Sequence, residues 1–142
     1  MNVLIVGQGG REHAMAWKLS LSNKVDTVYV APGNGGTANE NKCINIDIAV
    51  NDFLALEKLV IEKEINLIVI GPEDPLVNGI KDHFQNKNVK VFGPDKAGAK
   101  LEGSKIYAKK FMFENDIPTG RAEFFSDANL AKKYINTTDF PI

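Results

Sequence analysis

Asn2-Val3-Leu4-Ile5-Val6-Gly7-Gln8-Gly9-Gly10-Arg11-Glu12-His13 opens the chain, and its reading decides the rest. The apolar run at residues 3–6 has the composition of a strand buried on both faces, and it stops at a cluster of glycines. From Arg11 the period changes. Ala14, Trp17 and Leu21 fall at i, i+3 and i+7, one face of a helix. Strand, glycine turn and helix in that order begin a βαβ unit.

The same alternation continues outward. Residues 25–31 read as a second strand, closed by Pro32, Gly33, Asn34, Gly35 and Gly36, and residues 43–48 alternate with the period of two of a strand. A helix is predicted at 52–64 from the stripe Phe53, Leu56, Val60 with Leu59 beside it. Residues 66–70 form the most apolar run and suit a central strand, stopped by Gly71-Pro72. A helix at 76–84 and a strand at 89–92, stopped by Gly93-Pro94, complete the series. Strands alternating with helices predict an α/β fold, an open parallel sheet with helices on both faces. Right-handed crossovers place every strand's C-terminal end at one edge, so the turns at 7–10, 32–36 and 71–75 gather there, where open α/β sheets bind ligands.

Beyond Asp95 the pattern differs. Ser104 suits the N-cap of a helix carrying Tyr107, Ala108, Phe111 and Met112; residues 122–125 read as a short strand, and Ser126 as the cap of a helix holding Leu130 and Tyr134. Phe140-Pro141-Ile142 looks like the start of another strand. Residues 1–95 are therefore expected to form one domain and residues 96–142 the truncated opening of a second. A small accessory subdomain ending at that point is the alternative.

Composition removes several classes. Lys plus Arg number 17 against 18 for Asp plus Glu, a net charge of −1, so no basic excess draws the chain to nucleic acid or a membrane surface. Cys43 is the only cysteine and reads as a packed thiol; His83 sits among Lys81, Asp82 and Gln85 and is expected at the surface. No spacing suggests a metal site or a nucleophile with its base. Apolar runs fall far short of the roughly 20 residues of a membrane span, and no signal-type segment precedes Asn2. A cytoplasmic protein is expected.

The turns carry the chemistry. The first begins G-x-G, but Glu12 stands where a dinucleotide fingerprint needs its third glycine, and the second strand ends Val30-Ala31-Pro32 without a ribose-binding acid. A phosphate suits it better: Gly9 and Gly10 permit close backbone approach, the helix start offers N–H groups, and Arg11 adds a cationic fork. His13 either touches substrate or bonds to nearby backbone. Pro32, Gly33, Asn34, Gly36 and Thr37 provide backbone donors, an amide and a hydroxyl for a polyhydroxylated or phosphorylated ligand, unless they form an ordinary loop. Glu73 and Asp74 accept hydrogen bonds only. They suit an amine or ribose hydroxyls, or else they compensate a helix dipole.

Taken together, the runs at 7–14, 32–37, 71–76, 92–94 and Leu101-Glu102-Gly103-Ser104-Lys105 resemble the phosphoribosylamine–glycine ligase family of the ATP-grasp superfamily, in that family's order. The resemblance implies a pre-ATP-grasp, Rossmann-like domain at 1–95 and the start of an ATP-grasp domain at 96–142. It implies de novo purine synthesis, in which ATP activates glycine as an acyl phosphate that the amine of 5-phosphoribosylamine attacks. Gly9, Gly10, Arg11, Glu12, His13, Pro32, Gly33, Asn34, Gly36, Thr37, Glu73 and Asp74 would then belong to the substrate site, and Lys105 would contact nucleotide phosphate. ATP with Mg²⁺ or Mn²⁺ would serve the complete enzyme, a monomer. The catalytic residues and metal ligands would lie beyond these 142 residues, leaving this chain inactive alone and without tightly bound cofactor. A related purine-pathway carboxylate–amine ligase of the same superfamily is the alternative, although Arg11-Glu12-His13 and the 101–105 run point away from it. A stand-alone module binding a phosphorylated metabolite is another.

Overall fold

A computed structural model describes residues 1–139; the strand start expected at Phe140-Pro141-Ile142 lies outside them. The described residues divide into two compact units, 1–103 and 104 onward.

The first unit is built on five parallel strands, β1 (Asn2–Gly7), β2 (Thr27–Pro32), β3 (Cys43–Asn45), β4 (Ile65–Ile70) and β5 (Lys90–Phe92), in the order β3-β2-β1-β4-β5. The most apolar strands take the centre, because a central parallel strand has no wet face. Val3, Leu4, Ile5 and Val6 of β1 are wholly buried. Their alternation splits the core in two. Leu4 and Val6 join Leu56, Val60, Ile80 and Phe84 on one face, while Val3 and Ile5 join Ala16, Val28 and Val30 on the other. The helices involved are α1 (Gly10–Ser20), α2 (Phe53–Glu62) and α4 (Ile80–His83); α3 (Glu73–Val77) and α5 (Lys96–Gly103) complete the unit. Asp52 caps α2, its side chain accepting from the Ala55 amide at 3.0 Å.

Several local expectations change. Helix α1 turns Glu12, Ala16 and Ser20 to the sheet and leaves Ala14, Trp17 and Leu21 exposed. Met15 and Leu19 pack against the core beside Ala16. The helix predicted at 76–84 is two short ones, α3 and α4, separated at Gly79, whose φ of 91° ends one helix before the next begins. Strand β3 stops after three residues: Ile46 still donates to Val30 O at 2.9 Å, and the Ile48 amide then folds back onto Ile46 O at 2.7 Å. By compactness the first unit runs through α5, which buries Ala99 and sets Gly103 against Val77 of α3.

The second unit contains α6 (Lys105–Glu114) and α7 (Ala128–Thr137). Ser104 caps α6 as expected, accepting from the Tyr107 amide at 3.2 Å. Lys109 Nζ draws the chain back by donating to Thr119 Oγ1 and Gly120 O, both at 2.7 Å. Residues 122–125 form no strand, having no pairing partner among the described residues. Asp127 replaces Ser126 as the cap of α7, its carboxylate accepting from the Asn129 and Leu130 amides. A carboxylate is the stronger acceptor at a helix's positive end.

His83 is not a free surface histidine. Its Nε2 meets Glu57 Oε2 at 2.8 Å, and Lys87 Nζ lies 2.5 Å from the other oxygen, so Glu57 joins α2 to α4 and the turn beyond. The Lys87 hydrogen bond, with a smaller contribution from His83, outweighs burial and holds the Glu57 carboxyl below its ordinary 4.5. Unfolded chain therefore binds the Glu57 proton more readily than folded chain does, and stability from this source is complete above about pH 4.5 and declines as acid titrates the folded carboxylate. Glu57→Gln is expected to flatten the loss of urea stability between pH 6 and pH 3. An unchanged slope would show that this cluster does not contribute to it.

Candidate functional site: the glycine rim of the sheet

All the strand-end turns do meet along one edge. Backbone bonds extend the sheet past its strands, from Gly33 N to Gly7 O at 3.1 Å and from Gly71 N to Val6 O at 3.0 Å. Strand order reverses at β1, which has β2 on one side and β4 on the other. The crevice between the ends of β1 and β4 is thus the switch point at which open α/β sheets accept ligands.

Glu12 fills that crevice. It is 3% exposed, its Oε2 accepts from the Gly9 amide at 2.6 Å, and its carboxylate lies so close to Gly7, Gly9 and Gly71 that a Cβ at any of the three would collide with it. Gly7 adopts a φ of 135°, a second reason for glycine there. Oε1 is buried without a hydrogen-bond partner. Glu12 supplies one half of a capping box by reaching back to the N-cap amide, while Gly9 has no side chain to supply the other. The first amides of α1 thus open onto the rim without a side-chain cap, beside exposed Gly9 and Gly10. A helix of 11 residues with a bare N-terminus favours an anion at that point.

Burying Glu12 turns its neighbour outward. Arg11 is 72% exposed, with Nη2 3.6 Å from Glu73 Oε2 at the first residue of α3. The two stand at the mouth of a pocket of about 380 Å³, whose far wall is Pro94 with Gly98, Ala99, Leu101 and Glu102 of α5. That wall was not legible beforehand, because residues after 95 read as another domain.

The other predicted residues are placed as follows. His13 points along the rim, with Nε2 2.8 Å from Glu40 Oε1 and its ring against Gly36. Asn34 is used within the rim: Oδ1 accepts from the Gly36 and Thr37 amides at 2.7 and 3.0 Å, and Nδ2 donates to Gln8 O at 2.8 Å. Thr37 is wholly buried. Pro32 and Gly33 form the bend itself, Gly33 at a φ of 74°. Asp74 faces away from Arg11 and accepts from Asn51 and Asn78. Lys105 belongs to the second unit, at the first turn of α6. No group of His, Cys, Asp and Glu among the described residues can hold a metal ion. Cys43 is a packed thiol whose pKa burial pushes up, with the Glu40 charge adding to the effect.

An open parallel sheet with its first helix seated on a glycine turn defines an α/β domain whose ligand edge lies at the C-terminal ends of its strands. The biotin carboxylase domain of the 2-oxoglutarate carboxylase from Hydrogenobacter thermophilus matches 99% of this chain and 33% of its own, with a TM-score of 0.68 at 16% identity, a likeness of fold alone. Sequence narrows the class. Residues 1–102 match the family described as phosphoribosylglycinamide synthetase, N domain, and the chain belongs to that family. It is 48% identical over its whole length to the phosphoribosylamine–glycine ligase of Nostoc sp. and 47% identical to that of Haemophilus influenzae, covering 33% of each. The crystal structure of phosphoribosylamine–glycine ligase from Thermotoga maritima matches 98% of the chain with a TM-score of 0.65 and 31% identity. The chain spans about a third of the length of the ligases it matches.

Gly71→Ala is expected to cost about 1–3 kcal/mol by overpacking against the Glu12 carboxylate. Combined with Glu12→Ala, the loss should be smaller than the sum of the two single losses. Urea midpoints followed through Trp17, the only tryptophan, measure this. Additive losses would show that Gly71 accommodates something else.

Proposed function

We propose that this chain is the substrate-side portion of a phosphoribosylamine–glycine ligase, and that its rim holds the sugar phosphate amine. The reaction so assigned begins when a glycine carboxylate oxygen takes the terminal phosphoryl group of ATP, giving an acyl phosphate and ADP. The amine nitrogen of 5-phosphoribosylamine then attacks the acyl carbon. A C–N bond forms, the C–O bond to phosphate breaks, and the nitrogen loses a proton. The step needs activation because a carboxylate is a poor electrophile.

One observation carries this reading: in a chain of this family, Arg11 and the uncapped start of α1 share one rim with Glu73, 3.6 Å from Arg11. Arg11 and the amides of Gly10 and Arg11 hold the phosphate oxygens. Glu73 accepts from the amine or a ribose hydroxyl. With no ligand the two side chains pair with each other; a molecule bearing both an anion and a donor replaces each half of that pair. Lys105 serves the nucleotide phosphate. Mg²⁺ or Mn²⁺ belongs to the whole reaction, where it would screen the triphosphate; no group of three or more His, Cys, Asp or Glu among the described residues would hold it. Among the described residues no helix is long and apolar enough to cross a membrane. The whole enzyme is taken to be a cytoplasmic monomer.

Three measurements test this. Calorimetry with ribose 5-phosphate should show binding that Arg11→Ala weakens by about 10- to 100-fold, the range of a hydrogen bond to a charged group. Glu73→Gln should change that affinity by less than about fivefold, because release of Arg11 from an exposed ion pair offsets the weaker acceptor offered to the ribose hydroxyl. The 142-residue chain given ATP, glycine and phosphoribosylamine should form no glycinamide ribonucleotide. Turnover by the chain alone, or binding indifferent to Arg11, would overturn the assignment.

A further inference from the structure

The edge strand β3 ends at Asn45, two strands away from β1. Both ends of its amide are engaged in a closed ring of hydrogen bonds. The Asn34 amide donates to Thr37 Oγ1 at 2.8 Å; the single proton of that hydroxyl lies between two acceptors, Asn45 Oδ1 at 2.8 Å and Asn34 O at 2.9 Å; Asn45 Nδ2 donates to Asn34 O at 2.8 Å. Gly33 leaves room for this, since a Cβ there would collide with the Asn45 amide. The ring holds the main chain of Asn34, and the Asn34 side chain then reaches the other turn, donating to Gln8 O at 2.8 Å and Gly9 O at 3.4 Å. The Gln8 carbonyl belongs to the peptide whose Gly9 amide Glu12 takes, and the Gly9 carbonyl, which also accepts from the His13 amide at 3.0 Å, belongs to the peptide whose Gly10 amide opens the N-terminus of α1. A carbonyl held on one side of a turn directs the neighbouring N–H groups to the other.

We infer that Asn45 is a positioning residue for the turn at 7–10, acting through Asn34 without touching the ligand. Its chemistry is specific. An aspartate has the same shape and still accepts from Thr37, but it presents an oxygen to the Asn34 carbonyl where a donor is required. Because the turn is taken to hold phosphate, the effect of Asn45 on binding rests on the function proposed above; its hold on the turn's geometry does not.

The test uses the ¹⁵N-labelled full chain, with Asn45→Ala, Asn45→Asp, Asn34→Ala and the Asn34→Ala/Asn45→Ala double variant, and ribose 5-phosphate as the probe. Both Asn45 variants are expected to move the Gly9 and Gly10 amide resonances and speed their hydrogen exchange before any ligand is added. Each should weaken ribose 5-phosphate by about 10-fold. In the Asn34→Ala background, Asn45→Ala should change affinity by less than twofold while still lowering stability, a separation that a purely structural role would not produce. Unmoved turn resonances, or fully additive losses of affinity, would overturn the inference. If Asn45→Ala does not fold, the near-isosteric Asn45→Asp supplies the same comparison. If the unaltered chain fails to bind ribose 5-phosphate, the phosphate reading falls, and the ligand-free resonances still decide whether Asn45 governs the turn.

Discussion

A single carboxylate, that of Glu12, stands in the crevice where the sheet reverses its order, and the rest of the rim is arranged around it. It can occupy that place because Gly7, Gly9 and Gly71 carry no Cβ to exclude it. Its hydrogen bond to the Gly9 amide sets where α1 begins, and the absence of a side chain at Gly9 leaves the helix's first amides open. Successive helical residues are about 100° apart. Burying Glu12 therefore swings Arg11 out over the pocket mouth, where it meets Glu73. One buried acid thus determines the direction of the neighbouring base.

The electrostatics of the rim follow from small numbers. The chain's net charge of −1 provides no broad positive field to concentrate anions. Attraction must act at contact range, through Arg11 and the dipole of α1, with Glu73 and Glu102 lining the same pocket. Carboxylates beside an arginine disfavour a simple polyanion and favour a ligand that brings donors as well as a phosphate.

The strands were legible because burial on both faces leaves a run of apolar residues that needs no context, as at Val3 to Val6 and along β4. The helix faces were less so. The stripe Ala14, Trp17, Leu21 satisfied helical periodicity, yet α1 docks through Ala16 and Ser20 with Met15 and Leu19 beside them, a face the same period allows. Gly79 divided a helix whose apolar pattern ran straight through it. Asp127 displaced Ser126 as a cap, a choice between adjacent residues that spacing does not make. Among the candidate residues, the glycine turns and Arg11 stood out by residue type and order. Glu12 entered the substrate site only through the family resemblance, and nothing local signalled that three glycines distant or near in the chain would enclose its side chain. Nothing in the run Cys43-Ile44-Asn45 marked its asparagine.

The order of strands, glycine turns and helices was settled by the sequence itself: apolar runs must be buried, and glycine permits the sharp exits between them. Parallel crossovers then bring the turns to one edge. Only the tertiary structure decided which polar groups on that edge face solvent and which hold the edge together. Whether Glu12, Asn34 and Thr37 point outward or inward depends on partners such as Gly71 and Asn45, far away in the chain, and no local pattern records a bond between residues that folding brings into contact.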